Sequence, residues 1–335
     1  MALVKPNLRP TPQQVVPVLL IVAATCLRIF VCFQHNPMDY LWSDCLRHWQ
    51  SGLHFPEGGY FGATDPIGYQ AYMFVLHRIT GDQRLLIALS AALLSVLMPW
   101  TYYRAAREFG MRKTPALWVW VLIACTPSLV AIYHFIMMET LLLVVEGLGL
   151  WMTARYLRKG TSGAFLVSVV MWTLACLTKP TVAPLAAVCV LWSWWKKSPP
   201  LRTVALSAAL ALLLLAPQSI RSRAELGFVA PFGNPWLARI MLRSGATATE
   251  VLFHSPSGNF QRVVYISPSC GMLPLQPFSW WTMRRAFTNT KTTVVVDAHY
   301  GDRDWKAAYR SLQVTRAEWL SQWWENVVLL LFSSS

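Results

Sequence analysis

Charge is scarce in this chain: only 13% of its 335 residues are Asp, Glu, Lys or Arg, against roughly 25% in an ordinary soluble domain. With 55% hydrophobic residues, that scarcity excludes a soluble globular domain and leaves a membrane protein. Acids are the rarer sign, 15 against 29 basic residues. The basic residues are scattered between apolar spans, without an arm or stripe, which argues against nucleic acid and favours anionic lipid and phosphate as partners. The seven cysteines stand at no metal-ligand spacing, and those in the apolar spans read as small core residues. Cys45 and Cys270 fall in loops expected on one side, where they could pair in an oxidising compartment. No Gly-rich phosphate loop is present, which weighs against a nucleotide-sugar donor. No secretory signal is read: Lys5 and Arg9 precede a span too long for an h-region, so the first span is expected to stay as an anchor.

What is there is a succession of apolar segments with Trp and Tyr at their ends, as at membrane interfaces. Pro12 to Phe33 is the first, with a cytoplasmic N-terminus expected from the basic residues before it. An outer loop, 34–67, follows and contains Asp44. Gly68 to Gly81 is short and mixed in polarity and is expected to lie in the interface. Leu85–Tyr103, Ala116–Ser128, Thr140–Ala154, Ala164–Thr178, Val182–Trp195 and Val204–Ala216 then alternate in direction, which puts every basic cluster of the short loops inside. Residues 1–216 are thus read as an all-α polytopic membrane domain of seven or eight spans, and 217–322 as a large outer loop. Residues 323–335 are read as the start of a further, incomplete span.

Ionisable residues within apolar spans are costly in lipid and mark function by default. Four stand out: Arg28, Glu139, Glu146 and Lys179. Glu139 begins a span leaving the outer face and Lys179 ends one reaching it, so both are expected at the depth of Asp44. Glu146, seven positions on, shares Glu139's helical face about 10 Å deeper and is expected to be structural. A cavity with two carboxylates and a lysine suits transfer chemistry, in which a carboxylate deprotonates an acceptor while a cation holds a phosphate. A simple Glu139–Lys179 pair or a snorkelling lysine is the plain alternative. Arg47 and His48, three and four residues after Asp44, could share its helical face and touch phosphate or tune the acid. Asp65, before Pro66, either starts the interfacial helix or serves the site. Trp42 and Trp49 are candidate interface anchors or sugar platforms.

SDCLRHWQSG, followed by GGYFGATDPIGYQAYMFVLHRITGD, resembles the first outer loop and interfacial helix of GT-C glycosyltransferases. These are the membrane enzymes that use polyprenyl-phosphate sugars, among them protein mannosyltransferases and the aminoarabinose transferases of lipid A. MMETLLLVVEGLGLWMTARYLRKG, LACLTKPTVAPLAAVCVLW and APQSIRSRAELGFVAPFG are similar to later segments of that family, in the family's order. The resemblance implies that Asp44 is the catalytic base, although Cys45 stands where a second acid is usual. Gly62, Ala63 and Thr64 replace the aminoarabinose branch's lysine-bearing element and argue against that branch. Lys179, Arg221 or Arg223 is left to hold phosphate, and, the family being divided over metal use, no metal or other cofactor is expected.

The expected activity is transfer of a hexosyl or pentosyl group from a polyprenyl-phosphate donor to a lipid, glycan or protein acceptor at the outer face, in a bacterial inner membrane. Asp44 and Glu139 are the catalytic candidates, and Lys179, Arg221, Arg47, His48 and Asp65 the donor-binding ones. A lipid or sugar-lipid flippase is the main alternative, against which stands the lack of paired half-sequences. A non-catalytic scaffold of the same architecture is the other.

Overall fold

The computed structural model describes residues 12–41, 43–56, 65–226 and 229–233, and the backbone of three strands within 248–299. Trp42, Cys270 and the segment 323–335 lie outside the described residues. The chain divides into two compact units, one of residues 1–60 with 66–217 and the other of 61–65 with 218–335.

The first unit is helical. Its elements are α1 (Pro12–Gln34), α2 (Ser43–Leu53), α3 (Ile67–Arg78), α4 (Gln83–Glu108), α5 (Lys113–Cys125), α6 (Pro127–Ala131), α7 (Met138–Lys159), α8 (Ser162–Thr178), α9 (Ala183–Lys197) and most of α10 (Leu201–Leu226). Among the described residues four helices are long and apolar enough to cross a bilayer, in α1, α4, α7 and α10. A fifth span arises if α5 and the bent segment Pro127–His134 are taken together. The chain is an all-α polytopic membrane protein over this unit, as the sequence predicts.

Local chemistry sets the helix ends. The Asp82 carboxylate caps α4 by accepting from the Arg84 and Leu85 amides, which supplies partners for otherwise orphaned N–H groups. Gly160 closes α7 in the left-handed conformation, φ 69°, where a side chain would be strained. Between spans the packing depends on small residues. A methyl group on Gly147 would collide with Thr101 of α4, and one on Gly149 would meet the Trp172 ring of α8 at 3.0 Å. These close approaches let α7 sit between α4 and α8, as van der Waals packing in lipid favours.

Arg28, a candidate for function by its burial in an apolar span, is structural instead. Its guanidinium donates to the carbonyls of Ala124 (2.8 Å), Ile123 (2.9 Å) and Ser95 (3.1 Å) and to the Ser95 hydroxyl (3.0 Å). The reason lies at Pro127: the chain bends by 63° between α5 and the next helix, and proline has no N–H to offer the Ile123 carbonyl. In a membrane such freed carbonyls must find protein partners, and Arg28 supplies them.

Within the second unit, β1 (Ala248–His254) lies at the centre of a three-stranded sheet. It pairs antiparallel with β2 (Phe260–Ile266), Ala248 opposite Ile266, and parallel with β3 (Thr293–His299), Ala248 opposite Thr293. This sheet is an addition to the helical reading. Its segments, ATEVLFH, FQRVVYI and TVVVDAH, are rich in β-branched and aromatic residues.

Candidate functional site

The segment after α1 is a helix where the sequence suggested a loop. In α2, Cys45, His48, Ser51 and Gly52 are buried while Asp44, Leu46 and Leu53 are exposed, an amphipathic division at helical spacing. The buried face rests on α3. A methyl group on Gly52 would approach the Met73 Cβ to 2.5 Å, and His48 meets the Tyr69 ring edge-on at 5.1 Å. Trp49 also packs inward, 4.0 Å from the His77 ring, so it is a packing residue more than an open sugar platform. Cys45 is a free buried thiol in the same cluster as Tyr69, Met73 and Ile136.

The helix α3 in turn rests on the end of α8. A Cβ on Gly68 would lie 2.8 Å from the Leu177 carbonyl oxygen and 3.0 Å from the Thr178 amide nitrogen. Only glycine permits this approach. Immediately after this contact comes Lys179 in extended conformation, φ −148° and ψ 110°, followed by Pro180, an arrangement the proline itself favours.

Lys179 donates from Nζ to Oε1 of Glu139, in the first turn of α7. The pair joins two helix ends that are forty positions apart. It is only partly covered, the side chains being 32% and 27% exposed, yet Oε2 of Glu139 is buried with no hydrogen-bond partner. Next to it, Thr140 is hydrogen-bonded to Tyr69. Glu146 stands deeper in α7, within Coulomb range of Tyr102 and Cys189.

Asp44 and Arg47 form an ion pair one turn apart, 3.1 Å from Nη2 to Oδ1, with Asp44 53% exposed and Arg47 12%. Arg47 also reaches toward the His48 ring, with Nη2 3.5 Å from Nε2. Burial, and after it the Arg47 charge, push His48 down to about 3, while the charges of Asp44, Glu139 and Lys179 also act on it. Four of the sequence candidates, Asp44, Arg47, Glu139 and Lys179, therefore lie within electrostatic range of one buried imidazole. At neutral pH that imidazole is uncharged and offers no cation to a phosphate.

Other candidates fall elsewhere. Asp39 accepts from Nη1 and Nη2 of Arg84, at 2.5 and 2.7 Å. His134 stacks on His35 at 5.5 Å. Asp65 is buried and precedes Pro66, the N-cap of α3, which has no side-chain cap bond. Arg221 is buried near the end of α10, and Arg223 is exposed there. Asp65, Arg221 and Arg223 belong to the second unit. Reading the sequence missed the burial of His48, for which the signal was the apolar periodicity of Cys45, His48 and Gly52.

Residues 64–220 match the family model described as dolichyl-phosphate-mannose-protein mannosyltransferase, a GT-C type family. The matched stretch runs from just before α3 into α10 and includes Glu139 and Lys179, but not Asp44. Over that stretch the resemblance to GT-C membrane glycosyltransferases is borne out. No curated protein and no solved structure matches the chain.

Proposed function

We propose that the protein transfers a glycosyl group from a polyprenyl-phosphate carrier to an acceptor hydroxyl or amine at the outer face of a bacterial inner membrane. The observation that carries the reading is the partly exposed Lys179–Glu139 pair at adjoining helix ends, with one carboxylate oxygen buried and unpartnered. A phosphate entering there exchanges with Glu139 for the lysine. The ammonium is already positioned and partly covered, which favours the anion with little further reorganisation. Lys179 then holds the donor phosphate. Glu139, released from the lysine, accepts a hydrogen bond from the acceptor through the oxygen that now has none.

Asp44 is the base in this reading. It is exposed, stays on α2 beside Arg47, and takes the acceptor's proton as the new glycosidic bond forms and the carrier phosphate leaves. Arg47 and His48 position it, the neutral imidazole supporting Arg47 from the protein side. Asp65 remains a candidate for acceptor binding.

The test is direct: purified protein in detergent is incubated with a panel of radiolabelled polyprenyl-phosphate sugars, hexose and pentose, and with membrane extracts as acceptor source. Transfer of label from at least one of them is expected. Bilayer crossing of intact carrier without transfer, measured in proteoliposomes, would instead indicate a flippase.

A further inference from the structure

The structure assigns a second anion site at the opposite membrane face: Arg104, set against the paired indoles of Trp100 and Trp151, takes the phosphate of an anionic phospholipid. Arg84, paired with Asp39 near the start of α4, and Arg104 are twenty positions apart on one helix. At 1.5 Å per residue that is about 30 Å, the thickness of a bilayer's hydrocarbon core. Arg104 therefore stands at the headgroup level remote from Glu139 and Lys179.

Its surroundings are unlike those of Arg47, Arg84, Arg107 and Arg158, of which Arg107 donates to the Met111 carbonyl at 2.9 Å. Arg47 has Asp44, Arg84 has Asp39 and Arg158 has Glu108 at 2.6 Å. The Arg104 guanidinium instead lies over two indole rings, 4.8 Å from the Trp151 centroid and 5.9 Å from that of Trp100. The indoles are themselves packed edge to face at 5.1 Å. Among the described residues no carboxylate or carbonyl accepts from it. Indole rings stabilise a guanidinium by cation–π attraction but give its N–H groups, five in number, no hydrogen-bond acceptor. A phosphate diester matches that edge in charge and geometry. The local field agrees, since the last turns of α4 and α7 carry Arg107, Arg155, Arg158 and Lys159 against one acid, Glu108. The flanking tryptophans are suited to the interfacial depth at which such a headgroup lies. This inference does not depend on the glycosyltransferase reading.

The experiment is native mass spectrometry of the full chain released from mixed micelles of phosphatidylcholine and phosphatidylglycerol. Wild type is expected to retain phosphatidylglycerol in preference, and Arg104→Gln to lose that retention by about tenfold, as for one charge-assisted contact. Lys159→Gln removes the same charge from the same end at an exposed position away from the indoles and is expected to change retention by less than about twofold. Equal loss in the two variants would reduce the site to a diffuse basic field and overturn it. So would equal retention of the zwitterionic and anionic lipids by wild type. A third arm adds inorganic phosphate at millimolar concentration: displacement of the lipid by it would assign the site to free phosphate and overturn the lipid assignment.

Discussion

Gly68 lies against the Leu177 carbonyl so closely that a single added methyl group would stand 2.8 Å from its oxygen. The neighbour is backbone, so it cannot swing aside as a side-chain tip would. Gly68→Ala is expected to cost about 1–3 kcal/mol by overpacking and to push α3, with α2 on it, away from the Lys179 turn. Gly163, which has open space around it, is the control: Gly163→Ala should be neutral or stabilise by about 0.5–1 kcal/mol. Melting temperature and glycosyl transfer of both variants check this. Wild-type activity in Gly68→Ala would detach α2 and α3 from the site.

Lys179 and Glu139 are predicted to part in their effects on donor binding. Lys179→Ala removes the cation and should weaken binding of a polyprenyl-phosphate sugar by at least about tenfold, or about 1.4 kcal/mol. Glu139→Gln removes the phosphate's competitor for that cation and should leave donor affinity within about threefold or improve it, while transfer falls. Equilibrium binding in detergent measures both. Unchanged affinity in Lys179→Ala would make the lysine a structural partner of Glu139.

Arg28→Leu is expected to destabilise the protein strongly. It leaves the Ile123 and Ala124 carbonyls and Ser95 without their donor, at about 1–3 kcal/mol for each group left unsatisfied. Arg28→Lys, which keeps the charge but loses the planar fork, should recover only part of this. Donor affinity of the folded fraction should be unchanged, and a large loss of affinity in well-folded Arg28→Lys would return Arg28 to the functional candidates.

His48 gives a pH dependence. Unfolded, an imidazole takes its proton near pH 6.5, whereas in the folded protein burial delays this to about 3. Between those values the unfolded state binds more protons, so stability is full above about pH 6.5 and declines as pH falls, by about 1.4 kcal/mol per unit. From pH 7 to pH 5 the wild type should lose about 2 kcal/mol more than His48→Gln, read by thermal melting in detergent. Equal slopes would mean that the imidazole is in contact with water.

The spans in α1, α4, α7 and α10 were legible because a bilayer imposes one simple demand, enough apolar length; α8 and α9, also read as spans, are shorter, at 17 and 15 residues. Glu139 and Lys179 were legible for the same reason, since ionisable groups at span ends stand out against apolar surroundings. Arg28 obeyed that rule and still misled. Its partners are carbonyls freed by Pro127 about a hundred positions away, and no local pattern links the two. The burial of His48 depends on where α3 lies, which Gly52 and Gly68 decide through approaches that a sequence shows only as two glycines. The sheet was open to reading in its valine-rich segments, but the Pro, Gly and Arg between them gave that region the look of a polar loop.

The central claim, that α2 brings a catalytic carboxylate to the Lys179–Glu139 pair, is tested most directly by the turnover of Asp44→Asn with a polyprenyl-phosphate sugar. The amide keeps the carboxylate's size but cannot accept the proton, and Asp44 is exposed with one ion pair among the described residues, so folding should survive. Turnover is expected to fall by about 10²–10⁴-fold, roughly 3 to 5.5 kcal/mol of barrier, with melting temperature and donor affinity near wild type. Turnover within a few-fold of wild type would remove Asp44 from the chemistry and contradict the account.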